Sequence, residues 1–132
     1  MTGPHHVHTE HNAVPNVDET DLGDTLADLA DIHAGIDLIR DGIRLLAHDR
    51  HAVGTTQVLL AALAGSPDGT DVLAAIGQLV ARLADPDTNP ALRSLPHHQQ
   101  KEAAHQGWLT AHNLNDPELR TSASRACAAL DH

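Results

Sequence analysis

The chain has 132 residues, and its 8 Lys and Arg against 18 Asp and Glu give a formal net charge of −10. This acidic balance argues against binding to nucleic acid or to an anionic membrane surface, because both need clustered basic side chains. Phe and Tyr are absent and Trp108 is the one Trp, so a core must be built from Leu, Ile, Val and Ala. That composition favours closely packed helices over strands.

The first 17 residues predict a flexible, His-rich tail, and we expect residues 18–132 to form a single helical bundle domain. The tail residues that could bind a metal are His5, His6, His8, Glu10 and His11. Such a tract binds Zn, Ni or Cu through neutral imidazoles, either with a physiological role or incidentally. These polar residues stand where a signal peptide needs an apolar stretch, and no apolar run is long enough to cross a bilayer. We therefore expect a cytoplasmic protein.

A long first helix is predicted from about Thr20 to Arg50, which at 1.5 Å per residue would be ~45 Å long. Its front face is an apolar stripe whose steps alternate between three and four residues from Leu29 onward. This is the a/d pattern of a helix packed against another helix. The stripe consists of Leu22, Leu29, Ile32, Ile36, Ile39, Ile43 and Leu46.

The opposite side of the same helix carries a second apolar feature. Leu38 and Leu45 lie one heptad apart, beside Gly35 and Gly42. Because a Gly inside a helix costs about 1 kcal/mol relative to Ala, two at heptad spacing indicate the close approach of a second helix. This half of the helix is therefore predicted to be either the central helix of its own bundle or part of a dimer interface.

Turn and capping signals predict four further helices, giving an all-α bundle of about five helices with a long first helix. Asp116-Pro117-Glu118 combines a cap, a Pro in the first turn and a carboxylate, which is a strong start signal. The second predicted helix spans residues 56–64, and the third spans residues 71–84 and is stopped by Pro86. The fourth opens at Asn89-Pro90 or at Ser94-Leu95-Pro96 and ends near Asn113, and the fifth ends at Leu130. The second and third have the length of a helix-turn-helix, but the acidic start of the third excludes a recognition helix.

The fourth helix carries the strongest candidate for a metal site. His98, Glu102 and His105 share one face, and Glu102-x-x-His105 is the spacing used in di-iron carboxylate bundles. His98 and His105 are ~10 Å apart along the axis, so each could at most pair with Glu102 around one ion. The small residues of this helix lie on its other side, which favours a solvated His face over a bundle-core site. The remaining alternative is a surface site for a divalent metal that a second subunit completes.

Trp108 lies at the edge of this face, between His105 and His112. As the lone aromatic it is predicted to be either a filler at the edge of the core or a contact residue for a partner. Elsewhere, His33 and Asp37 are spaced as an (i, i+4) surface pair, and His48 and His51 are placed to stabilise the end of the first helix.

No catalytic motif supports an enzyme. The sequence contains no Gly-x-Ser-x-Gly elbow, P-loop or dinucleotide fingerprint, and Cys127 falls on the inward face of the last helix. We therefore expect a non-enzymatic protein that acts by association, as a homodimer or as an accessory or regulatory subunit. The predicted interface comprises Gly35, Leu38, Gly42, Leu45 and Trp108. The alternatives are a metal-binding bundle and an assembly that responds to pH through its 12 His.

Overall fold

The computed structural model describes residues 13–131, and all regular secondary structure in that range is helical. The all-α fold class is therefore confirmed. The chain divides into two compact units, residues 1–51 and 52–132, where the sequence led us to expect one bundle domain. Each unit is described by itself. The histidines predicted to form a metal-binding tail lie outside the described residues.

In the described part of the first unit, a short 3-10 helix, Val17–Glu19, is followed by helix α1, Asp21–Asp28, and helix α2, Ala34–His48. Thr20 caps α1, because its Oγ1 accepts a hydrogen bond from the Gly23 amide at 3.2 Å. Val17 and Leu26 are buried. Val17, the last residue of the predicted tail, thus packs within this unit.

The long first helix predicted from Thr20 to Arg50 is also wrong, because the chain breaks between α1 and α2. Asp31 adopts a left-handed backbone with φ of 62°. Two residues later His33 has an extended backbone, and its Nδ1 accepts a hydrogen bond from the Gly35 amide at 2.8 Å. This cap starts α2 as a new helix. The longest described helix is instead His97–Leu114, with 18 residues.

The second unit contains four α-helices. Helix α3, Val53–Leu60, continues into a π-helical turn, Ala61–Gly65. It is followed by helix α4, Val72–Ala84, a 3-10 helix, Pro90–Ser94, helix α5, His97–Leu114, and helix α6, Pro117–Ala129. Helix α5 starts directly after Pro96, the later of its two predicted openings. Helix α6 starts as predicted, with the Asp116 carboxylate accepting from the Glu118 amide at 2.9 Å.

Helices α4 and α5 pack through small residues. A Cβ added to Gly107 would lie 2.8 Å from the Ala84 Cβ, and one added to Gly77 would lie 3.1 Å from the Ala111 Cα. Only glycines allow the two backbones to approach this closely. As a consequence the large aliphatic side chains of α4 lie on its other side and are exposed, namely Val72, Ile76, Leu79, Val80 and Leu83.

A buried ion pair joins α6 to the start of α4. Arg120 donates from Nε and Nη2 to the two carboxylate oxygens of Asp71, each at 2.7 Å. Asp71 also caps α4, since its Oδ1 accepts from the Ala74 amide at 2.9 Å. The Arg120 guanidinium holds the pKa of Asp71 below its ordinary value. Both partners are buried, so this pair is the polar centre of the second unit.

Candidate functional site

The most exposed apolar surface in the first unit is one side of α2, which we call the α2 outer face and define as Ala34, Leu38, Gly42 and Leu45. Leu38 is 73% exposed and Leu45 is 61% exposed. A Cβ built on Gly42, which lies between them, would meet no atom within 4 Å. Steps of three and four residues place all four on the same side of the helix. The outer face is therefore an apolar strip with a flat centre.

The rest of α2 is weakly covered by its own unit. Ile36, Ile43 and Leu46 of the predicted front stripe are half-buried, and no residue of α2 is fully buried. Gly35 does not mark the approach of a second helix, because its nearest neighbour would be the His33 ring, 3.2 Å from an added Cβ. Within the described chain no second helix closes on Gly42 either. The close approach predicted from the heptad-spaced glycines is therefore not made within one chain.

Charged side chains flank the outer face. Arg40 reaches Asp37 at 3.6 Å and Asp41 at 3.3 Å, and Arg44 forms an ion pair with Asp18. The hydrogen bond from Arg44 lowers the pKa of Asp18, so that carboxylate stays charged. The predicted pair of His33 with Asp37 is wrong, because the imidazole caps α2 and the carboxylate turns to Arg40.

The C-terminal end of α2 agrees with the sequence prediction. The Nε2 atom of His51 lies 2.8 Å from the carbonyl oxygen of Leu46, in the last turn. This contact uses one of the carbonyls that a helix end leaves without an intrahelical partner. His48 lies one turn earlier, where a cation is favoured by the helix dipole.

A shallow groove of about 280 Å³ lies along one edge of the outer face. Its lining residues are Asp41, Arg44, Leu45 and His48. Their spacing of i, i+3, i+4 and i+7 is that of the four residues that surround an inserted side chain in knobs-into-holes packing. The surface of the groove is almost entirely apolar, so the carbon atoms of these side chains form it.

Within one chain the predicted metal residues do not form a ligand set, and the surface site that a second subunit would complete stays a prediction. His98, Glu102 and His105 are all exposed on α5, and Glu102 accepts a hydrogen bond from the Gln106 side chain at 2.9 Å. Between residues 13 and 131 no group of three or more His, Cys, Asp or Glu side chains is arranged to hold a metal ion. The solvated His face is the arrangement that the structure shows.

Trp108 is a surface residue, 58% exposed, and it stacks between two imidazoles. Its ring centroid lies 6.5 Å from that of His105 and 5.2 Å from that of His112, with interplanar angles of 12° and 10°. The i−3 and i+4 positions of these histidines explain the stack. Trp108 is therefore not a filler at the edge of the core. Its role as a contact residue stays a prediction.

A second groove, of about 400 Å³, runs along α6 in the second unit. Apart from Arg125, the lining side chains that can donate are already used within the chain. Arg120 binds Asp71, the Ser124 hydroxyl donates to the Gly65 carbonyl at 2.8 Å, and Thr121 donates to the turn before it. The groove therefore lacks the convergent free polar groups that mark a small-molecule site.

The buried pair of Asp71 and Arg120 was missed in the sequence. A signal was present, because Arg120 stands three, four and seven residues before Ala123, Ser124 and Cys127 on the packed side of α6. A basic residue at an inward helical position requires a buried acidic partner. The capping Asp at the start of α4 was the available one.

In the described part of the chain, no helix is both long enough and apolar enough to span a membrane. Comparison with protein-family models, with curated proteins and with solved structures finds no match to this chain.

Proposed function

We propose that this chain is a non-enzymatic protein that acts by protein–protein association through the α2 outer face, in the first place as a homodimer. The supporting observation is the pair of leucines, Leu38 and Leu45, that stand 73% and 61% exposed on either side of an open Gly42. A contiguous apolar strip with a charged rim is the usual composition of a protein interface. An accessory subunit that binds a different protein would use the same strip.

The physical chemistry of α2 supports this function. Helices of fewer than about 12–15 residues are marginal in water, and most helical stability in proteins comes from packing an apolar face. Helix α2 has 15 residues and buries none of them fully within its unit. With most of its surface still exposed, each of the two leucines would gain about 1–2 kcal/mol on complete burial. Association would therefore stabilise the helix that carries the interface.

The test is the molar mass of the purified chain by light scattering, compared with the 14.0 kDa of one copy. We expect a dimer for the natural sequence. Leu38→Glu or Leu45→Glu should return the mass to that of one copy while the helical circular dichroism is retained, because both side chains point away from their own unit.

The matched control is Val58→Glu, which places the same charge on a 66% exposed aliphatic residue in the second unit. We expect this variant to keep the mass of the natural chain. A natural chain that remains at one copy at all concentrations would refute self-association. A dimeric Leu45→Glu variant would refute the α2 outer face as the interface.

A further inference from the structure

We propose that the partner of the α2 outer face is a second copy of this chain packed antiparallel, so that Leu38 of each copy fills the groove of the other. This inference rests on the proposed function and adds the direction of the second copy and the residue that enters its groove. Three observations on α2 carry it: the shape of the groove, the open glycine, and the distribution of charge.

The groove and the protruding leucine match in position. Arg44 and Leu45 line the groove with Asp41 one turn before them and His48 one turn after, which is the spacing of a hole of the knobs-into-holes type. Leu38 comes four residues before Gly42 and Leu45 three residues after it. Two antiparallel copies that cross near Gly42 therefore place Leu38 of one beside Leu45 of the other. A parallel pair would place Leu38 against Leu38, away from the groove.

Gly42 fits the crossing point. Apart from its own helix backbone, no protein atom lies within 4 Å of the position where its Cβ would stand. A glycine there lets two helix backbones approach more closely than any other residue would, as Gly77 and Gly107 do between α4 and α5. Glycine inside a helix is otherwise unfavourable, so this crossing gives Gly42 a structural role.

Three of the charges flanking the outer face, Asp37, Asp41 and Arg44, complement one another in the antiparallel direction, while Arg40, which is paired with Asp37 and Asp41 in its own chain, falls at the height of Arg44. Asp37 stands toward the N-terminal end of α2, and Arg44 and His48 stand toward the C-terminal end on the same side of the helix. Antiparallel packing would bring Asp37 of one copy near Arg44 and His48 of the other, and Asp41 near Arg44, in addition to the ion pairs that these residues form with Arg40 and Asp18 in their own chain. Parallel packing places each of these residues at the height of the same residue of the other copy, where no opposite charge meets it. The two helix dipoles are also opposed only in the antiparallel pair.

The ends of the strip agree with this direction. Ala34 is the first residue of α2, and Asp49 follows its last residue. In the antiparallel pair Asp49 of one copy faces Ala34 of the other, so its carboxylate lies at the positive end of the partner helix. In a parallel pair the two Asp49 carboxylates would face each other.

The experiment is cross-linking with a short bis-maleimide in a full-length Cys127→Ser background, which removes the only native thiol. One variant carries Ala34→Cys and the other carries Asp49→Cys. Both positions are exposed, lie at the ends of the strip and leave both leucines intact. The ends of α2 are ~22 Å apart, beyond the reach of a short linker. We expect covalent dimers when the two variants are mixed, and few when either is treated alone.

Light scattering and circular dichroism on both variants separate the outcomes. If they are dimeric and each cross-links with itself but not with the other, the antiparallel direction is refuted and the proposed function stands. If they are dimeric and no combination cross-links, a second copy does not lie on this face. If the natural chain and both variants have the mass of one copy, the proposed function itself fails.

Discussion

Removing Arg120 should cost the second unit more stability than any other single truncation on α6. In Arg120→Met the apolar length of the side chain is kept and the guanidinium is lost. The Asp71 carboxylate would then remain buried, with two hydrogen bonds of 2.7 Å removed. Its remaining partners would be the Ala74 amide at 2.9 Å and the Ser66 amide at 3.4 Å.

The expected loss follows from the unpaired charge. Breaking a buried ion pair by removing one partner typically costs about 3–5 kcal/mol, most of it the penalty of an uncompensated charge. Because two backbone amides still contact Asp71, we expect the lower end, about 3 kcal/mol. The double variant Asp71→Asn/Arg120→Met leaves a neutral amide that can still cap α4 through its oxygen. It should therefore be more stable than Arg120→Met alone.

The assay is urea unfolding of the natural chain, both single variants and the double variant, followed by circular dichroism. The double-variant cycle isolates the coupling between the two side chains. Two results would refute the reasoning: a loss below about 1 kcal/mol for Arg120→Met, or a double variant whose loss equals the sum of the losses of the two single variants. The first would mean that water reaches Asp71, and the second that the pair carries no net coupling.

The Asp71–Arg120 pair also determines the direction in which folding stability changes with pH. The pKa of Asp71 is lowered in the folded state from its ordinary value of 3.8, mainly by the hydrogen bonds from Arg120. A depressed carboxylate pKa means that the unfolded chain takes up the proton first. The contribution of the pair should thus be complete above pH 3.8 and decline as the pH falls through the lower, folded value. Asp71→Asn should remove that part of the acid sensitivity.

Three smaller predictions concern glycines and a cap. Gly107→Ala should destabilise the second unit by about 1–3 kcal/mol in urea unfolding, because its Cβ would stand 2.8 Å from that of Ala84. Gly42→Ala should stabilise α2 by about 1 kcal/mol in a monomeric Leu45→Glu background, since no atom obstructs the new methyl group, yet weaken the dimer in sedimentation. His33→Ala should cost about 1 kcal/mol and lower helicity, whereas His33→Asn should restore the cap.

The fold class was predictable because helical periodicity and capping are local properties. The start of α6 at Asp116-Pro117 and the stop of α4 before Pro86 follow from backbone restrictions that one or two residues impose. The break at Asp31 and His33 was not predictable in the same way. Apolar residues continue at helical spacing through it, and neither a left-handed Asp nor a capping His is a strong signal.

The hydrophobic periodicity of α4 also did not predict which of its two sides packs against another helix. The pattern shows that Val72, Ile76, Leu79 and Leu83 share one side, and it equally shows that Ala74, Gly77, Ala81 and Ala84 share the other. Which side turns inward depends on the partner helix. Helix α5 carries Gly107 and Ala111 on its facing side, so the small residues of α4 pack against it in close backbone contact. The larger side chains of α4 therefore remain on the exposed side. The sizes of the facing residues on both helices, which neither segment reveals alone, determine which side of α4 is packed.

The exposure of large apolar side chains also links the stability of the chain to its association. Over residues 13–131 the buried hydrophobic residues are Val17, Leu26 and Ala74, while Leu38 and Leu45 stand in solvent. Burial of apolar surface is the main force that stabilises a fold, so a chain with this distribution should gain much of its stability from its partner. We therefore expect the thermal midpoint to rise with chain concentration.

The measurement is circular dichroism melting over a hundredfold range of concentration, with Leu45→Glu as the matched comparison. A dimer that unfolds to separate chains is favoured by mass action, so its midpoint must shift upward as the concentration increases. The variant should melt at one temperature throughout, and below the natural chain at high concentration. A natural chain whose midpoint does not move would show that its folded state gains nothing from self-association, whatever its exposed leucines suggest.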